Sequence, residues 1–297
     1  MKLARSAFLA VLAFQLFACG GDDDPFSDDW PPDLFAVSFA DGVFVASGQH
    51  YSIANSTDGH DFREQASDGE GTFQSVVFGE GEWVTVGSGG VVATSDDSSH
   101  WFIDFLTTSH ILRGVTYGNG TFVVVGDEGN IFTSPNAGAW DSEDSPVSRN
   151  LQDVAFGEDR FVAVGDGGTI LTSQDGSHWA VRNSATGEDL FGVGYGGGRF
   201  LAVGRDGVIV SSPNGVDWSL VEPPLGETLR DVEYGGGRYV AVGDTGTILT
   251  STAELSFYPT DSTTDRHLQS VTYGEGIFVV VGIGGRILNS ADGIHWD

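Results

Sequence analysis

The chain has 297 residues, with 42 acidic side chains against 13 basic ones, a formal charge of −29 and a single cysteine. An acidic excess of that size repels polyanions and anionic headgroups, so nucleic acid is not expected as a partner. The ordinary reason for such a surface is solubility, in a saline habitat where self-repulsion is screened; dispersed calcium binding is the sharper alternative.

Lys2 and Arg5 precede an apolar run, Ala7 to Phe17, that is too short to span a bilayer and predicts a secretory signal. Leu16-Phe17-Ala18-Cys19 matches the bacterial lipobox, in which cleavage exposes a cysteine for acylation. Residues 1–18 are therefore expected to be removed and Cys19 lipidated, rather than left as a stray or dimerising thiol. Loss of Lys2 and Arg5 leaves 11 basic residues, all arginine. Residues 19–33 make an acidic tether around Asp22, Asp23 and Asp24. Its residues 20–33 reach at most about 45 Å at ~3.3 Å per residue. No second hydrophobic segment follows, so the body is expected to be anchored to, and not to cross, a bacterial membrane, with the outer membrane as the expected address.

From Leu34 onward the chain repeats. Glycine recurs every 39 residues at Gly48, Gly87, Gly126, Gly165, Gly204, Gly243 and Gly282. Each copy holds three β-rich runs and the aromatic start of a fourth, separated by Gly/Asp/Asn turns, which predicts a four-stranded antiparallel blade. Seven blades around an axis bury one another's apolar faces, so residues 34–297 are predicted to form an all-β, seven-bladed propeller. Val37 and Phe39 head columns that recur in every copy, the marks of packing between blades. Seven periods from Leu34 would end nine residues beyond Asp297, and those nine correspond to Pro25–Asp33. That segment, with Phe26 and Trp30, is predicted to supply the seventh blade's outer strand; the alternative leaves that strand a stub.

The third run of each copy ends in serine, and Asp or Asn follows two positions later in six copies. Ser56/Asp58, Ser173/Asp175, Ser212/Asn214 and Ser290/Asp292 are clear examples. A short polar side chain bonding turn amides, beside a glycine free to take positive φ, closes a tight hairpin. Ser173-Gln174-Asp175-Gly176-Ser177-His178-Trp179 resembles the Asp-box, or BNR, hairpin of sialidases and related propellers, shortened by one residue before the tryptophan. Ser290 to Trp296, through Asp292 and Gly293, is the second-best copy. With the flanking Phe-Val-Ala-Val-Gly runs, residues 34–297 resemble the photosystem II assembly factor family and bacterial BNR-like surface lipoproteins. The resemblance implies structural Asp-boxes and a chaperone-like or platform role. Blade six departs from the pattern at Ala253-Glu254, and its Tyr258, Pro259, Arg266 and His267 serve nothing in the repeat.

A sialidase would need three arginines converging on a substrate carboxylate, a Tyr/Glu nucleophile and an acid/base Asp. Five of seven tyrosines fall in packing columns, no Phe/Tyr-Arg-Ile-Pro motif occurs, and constant spacing leaves no insertion to build a pocket. His100, His178 and His295 occupy peripheral positions in three non-adjacent blades, so no metal site and no cofactor is expected. Surface recognition remains. Arg160, Arg199 and Arg238 share one position in consecutive blades and form a candidate partner-binding strip, joined by Tyr258 and Arg266; ordinary ion pairing is the competing account. The opposite end is expected to be acidic, from Asp127, Glu128, Asp166, Asp206, Asp244 and linker acids. The sequence thus reads as a monomeric, non-enzymatic envelope lipoprotein that binds another envelope protein. Its alternatives are a glycan-binding lectin and a sialidase-like hydrolase.

Overall fold

The computed structural model describes residues 32–297 except 67, 68, 223 and 253. Within them the chain forms seven antiparallel sheets in sequence order around a central channel, six of four strands and the last of three. Blade four shows the pattern: Leu151–Gly157 lies innermost, followed outward by Arg160–Gly165, Thr169–Ser173 and Ala180–Arg182. Blades one to seven span 34–66, 73–105, 112–142, 151–182, 190–221, 229–260 and 268–290.

The core sits between blades. Each of seven hydrophobic clusters joins neighbours, as where Val162, Val164 and Ile170 of blade four meet Leu190, Val193 and Phe200 of blade five. Two glycine columns permit this closeness. A Cβ on Gly165 would collide with the carbonyl oxygen of Asn150, and all seven period-39 glycines stand against the equivalent carbonyl, so the repeat's most regular residue marks backbone packed on backbone. A Cβ on Gly157 would collide with the ring of Tyr195, and five other blades press the first-strand aromatic of the next blade onto the same glycine.

The seventh blade packs on the first through Val279 and Val281 against Leu34, Val37 and Phe44, so the ring is closed by the same kind of cluster as every other junction. Asp33 adds a polar latch. Its Oδ1 accepts the N–H of Gly284 in blade seven's tight turn at 2.6 Å. Asp189 and Asn150 do the same for Gly167 and Glu128, at 2.7 and 3.0 Å. At the outer edge of blade seven Asp297 exchanges two backbone hydrogen bonds with Asn289, a single rung where other blades carry a strand. The remainder of the expected closing segment, residues 25–31, lies outside the described residues, as do the signal and Cys19. Among the described residues no helix is long and apolar enough to cross a membrane.

Candidate functional site

In every blade the pairing of the first two strands slips by one residue near the start of the first strand, as between Leu151 and Asp153. A bulge of this kind re-aims a side chain. The seven bulged residues are Phe35, Gln74, Arg113, Gln152, Phe191, Arg230 and Gln269, and together they line one mouth of the channel. The column varies freely in sequence, which is why the repeat gave no hint of it.

Behind the mouth the channel opens on a cavity of ≈ 290 Å³ lined by the first strands. The residue after each bulge turns toward the next blade, and where it is polar it serves the N–H groups freed there. Asp153 accepts from Val154 in its own blade at 2.8 Å and from Val193 in the next at 2.9 Å. Asp231 accepts from Val232 at 2.7 Å and from Val271 and the Ser270 hydroxyl at 2.9 Å. Ser270 Oγ in turn accepts from Val37 at 3.3 Å, which carries the chain of bonds across the closing junction. Ser75 accepts from Val115 at 3.2 Å. These carboxylates are staples between blades. Burial, then the charge of Asp231, raises Asp153 and the neighbouring Glu233 to about 8, and burial raises Asp231 as well. Raised acids in a cavity suit general acid catalysis, but here the oxygens of both aspartates are already engaged by main-chain donors.

The channel-mouth end is less acidic than its turns suggest. Asp127 pairs with Arg113, Asp189 with Arg205, and Asp244 with Arg230 at 2.8 Å and His267 at 3.1 Å. Asp166 accepts from Gln152 at 2.7 Å. The guanidiniums of Arg205 and Arg230 also stand 6.0 and 5.4 Å from the centre of the Phe191 ring. Of the turn acids expected there, Asp127 and Asp244 are thus offset by arginines, Asp166 is held by neutral side chains, and Glu128 and Asp206 have no arginine partner among the described residues.

Arg160, Arg199 and Arg238 each begin the second strand of their blade, at the other end of the propeller. All three are half-buried. The stems of Arg160 and Arg238 run across the blade junction to Gly215 and Gly293 in the next blade's hairpin. By the same register Arg199 points toward blade six, where Glu254 replaces that glycine. Among the described residues none of the three forms an ion pair; at the opposite end Arg113, Arg205 and Arg230 do, and Arg149, Arg266 and Arg286 do not. Arg160 Nε is buried without a hydrogen-bond partner. Tyr258 opens blade six's outer strand near the same end. Arg266 lies at the other end, its guanidinium over Gly284, so the structure separates it from the strip.

The hairpins are built around their serine and acid. Ser173 Oγ donates to Asp175 Oδ1 and accepts from Gly176, whose φ is +82°. Asp175 Oδ1 also accepts the N–H groups of Ser177 and His178 at 2.9 Å, and Trp179 Nε1 donates to Gly176 O. Ser56/Asp58 and Ser290/Asp292 repeat the serine–acid bonds, and Asn214 substitutes for the acid beside Ser212. Trp296 instead leaves its Nε1 unpartnered. His100, His178 and His295 each bond the hairpin acid at 2.7–2.8 Å, a role that the sequence left blank. The N–H of His178 is the leading cause that holds Asp175 below the ordinary carboxylate range, with the His178 ring, Ser177 and Ser173 behind it. Among the described residues no group of acids, histidines or cysteines could hold a metal ion.

No family model and no curated protein matches the sequence. Solved structures do match in shape. YCF48 bound to D1 peptide has a TM-score of 0.70 at 19% identity, over 87% of this chain and 93% of that one. YCF48 from Cyanidioschyzon merolae scores 0.69 at 16% identity, over 87% and 95%. The WD40 β-propeller domain of Doa1 also scores 0.69, at 12% identity over 87% and 93%. Identities this low establish a shared propeller fold, which hosts many functions.

Proposed function

We propose that the chain is a non-enzymatic lipoprotein of the bacterial cell envelope, anchored through Cys19, whose propeller is a platform for binding or assembling a partner protein. The observation that carries this reading is the strip of Arg160, Arg199 and Arg238. Three guanidiniums at one position of three consecutive blades, in a chain with a charge of −29, make a local basic strip that suits an anionic, carboxylate-bearing partner surface. The propellers of similar shape add support, since YCF48 has been solved bound to D1 peptide. Against an enzyme stand the aspartates' engagement as staples and the small, hydrogen-bonded channel. Capture of partners from the protein's own membranes, with wild type beside the triple glutamine variant of the strip, tests the proposal. Turnover of a fluorogenic glycoside, or specific glycan-array binding, would move the reading to its hydrolase or lectin alternative.

A further inference from the structure

The outer strands of the blades differ in how they guard their open edges. Blade one presents Arg63 and Glu64, blade three has only Asp141–Ser142, and blade six carries Pro259. Blades four and five each expose one aliphatic residue, Val181 and Leu220. Charge, shortness and proline are the usual protections of an edge. Blade two has one charge, Asp104, in a four-residue strand, and is otherwise apolar along its edge. Its outer strand, Phe102–Phe105, exposes Phe102, Ile103 and Phe105 at 67%, 51% and 58%.

Its backbone is open as well. The N–H of Leu106 donates inward to Gly90 O at 2.8 Å, so strand alternation turns the main-chain groups of Ile103 and Phe105 outward. The outward N–H of Phe105 closes on the adjacent Asp104 Oδ1 at 2.8 Å, a local bond that an arriving carbonyl could replace. The acids at the edge are its own: Asp104 within the strand and Asp96 in the hairpin that leads into it, Asp97 being taken up by the hairpin amides and His100. A second copy of this acidic chain, or an anionic membrane, is repelled there. A strand that brings both apolar contacts and positive charge is attracted.

We infer that the outer strand of blade two is a docking edge for an extended segment of a partner protein in which apolar residues alternate with lysine or arginine, bound by strand addition. The segment adds a fifth strand to the blade, its apolar side chains lie beside Ile103 and Phe105 on one face, and its cations meet Asp104 on the other. The edge is distinct from the arginine strip, and the two are testable apart.

The test uses the whole mature protein and a synthetic peptide of alternating valine/isoleucine and lysine, capped at both ends. Expected are saturable binding that weakens with salt, and slowed amide exchange at Ile103 and Phe105. The Ile103→Ser/Phe105→Ser variant, altered only at exposed positions and checked for an unchanged melting curve, should bind at least about tenfold more weakly. The triple arginine variant should bind as wild type does. Absence of saturable binding, equal binding of a peptide with glutamate in place of lysine, or exchange protection elsewhere would overturn the inference. So would two rival outcomes: a dimer in sedimentation that the serine variant abolishes, or uptake onto zwitterionic phosphatidylcholine vesicles that it abolishes.

Discussion

Replacing Asp231 by alanine removes the acceptor for Val232 and Val271 N–H and for the Ser270 hydroxyl, and with it the support of the Ser270 to Val37 bond at the closing junction. Each lost bond is worth about 0.5–1.5 kcal/mol. Because water in the channel can reach the orphaned groups, the lower half of the range applies, for a loss of roughly 2–3 kcal/mol. For a domain of this size that corresponds to a fall in Tm of about 4–9 °C. The same column supplies the control: Ser75 bonds the next blade with a hydroxyl, so Asp231→Ser should regain about half of the loss. Calorimetry gives the stabilities, and amide exchange should show Val271 and Val37 deprotected before the amides of blades three and four. An alanine variant as stable as wild type, or a serine variant no better than alanine, would refute the staple account.

Glu233→Gln should change the pH dependence of stability. Its pKa is raised from 4.5 to about 8, so its favourable contribution is intact below pH 4.5 and is lost as pH rises through 8. A shift of that size is worth at most about 5 kcal/mol, and channel water reduces it to about 1–2 kcal/mol. Melting between pH 5 and 9 should therefore show the variant gaining on wild type as pH rises; parallel curves count against the account. Asp175 has the opposite sign: its lowered pKa stabilises above 3.8 and that contribution is lost as pH falls, so Asp175→Asn should flatten acid denaturation below pH 4. Asp33→Ala should cost about 1 kcal/mol and deprotect Gly284 first; uniform loss of protection would mean that Asp33 is no latch. Cys19→Ala should abolish labelling by a fatty acid; equal labelling of variant and wild type removes the anchor.

The fold was legible because its requirements recur. Gly165 and its six equivalents are fixed by the approach of one backbone to another, and Phe161 and Phe200 by burial between blades, so period and pattern alone predicted the ring. The hairpins were legible for the same reason, down to the pairing of Ser173 with Asp175. What escaped is what does not recur. The mouth residues Phe35, Arg113 and Gln152 share a column but no chemistry, because a bulge fixes their direction and leaves their identity free. Asp153 and Asp231 alternate with glycine and serine, so no column announced a staple. The absence of carboxylate partners for the arginine strip is a matter of distance across blades, which spacing cannot report, whereas the pairing of Arg113 with Asp127 lies within one blade at the 14-residue spacing that Arg230 and Asp244 repeat. The exposed edge of blade two was readable only in part: Phe102-Ile103-Asp104-Phe105 looks like any β-rich run until its neighbours are placed.

The most direct test of the platform reading is quantitative capture from the protein's own membranes. Wild type and Arg160→Gln/Arg199→Gln/Arg238→Gln, matched for folding by melting curve, are immobilised at equal density and the retained proteins are identified by mass spectrometry. The account predicts one envelope protein enriched on wild type, released by salt, and depleted on the variant. The same protein retained equally by both would reduce the strip to a structural feature and contradict the account.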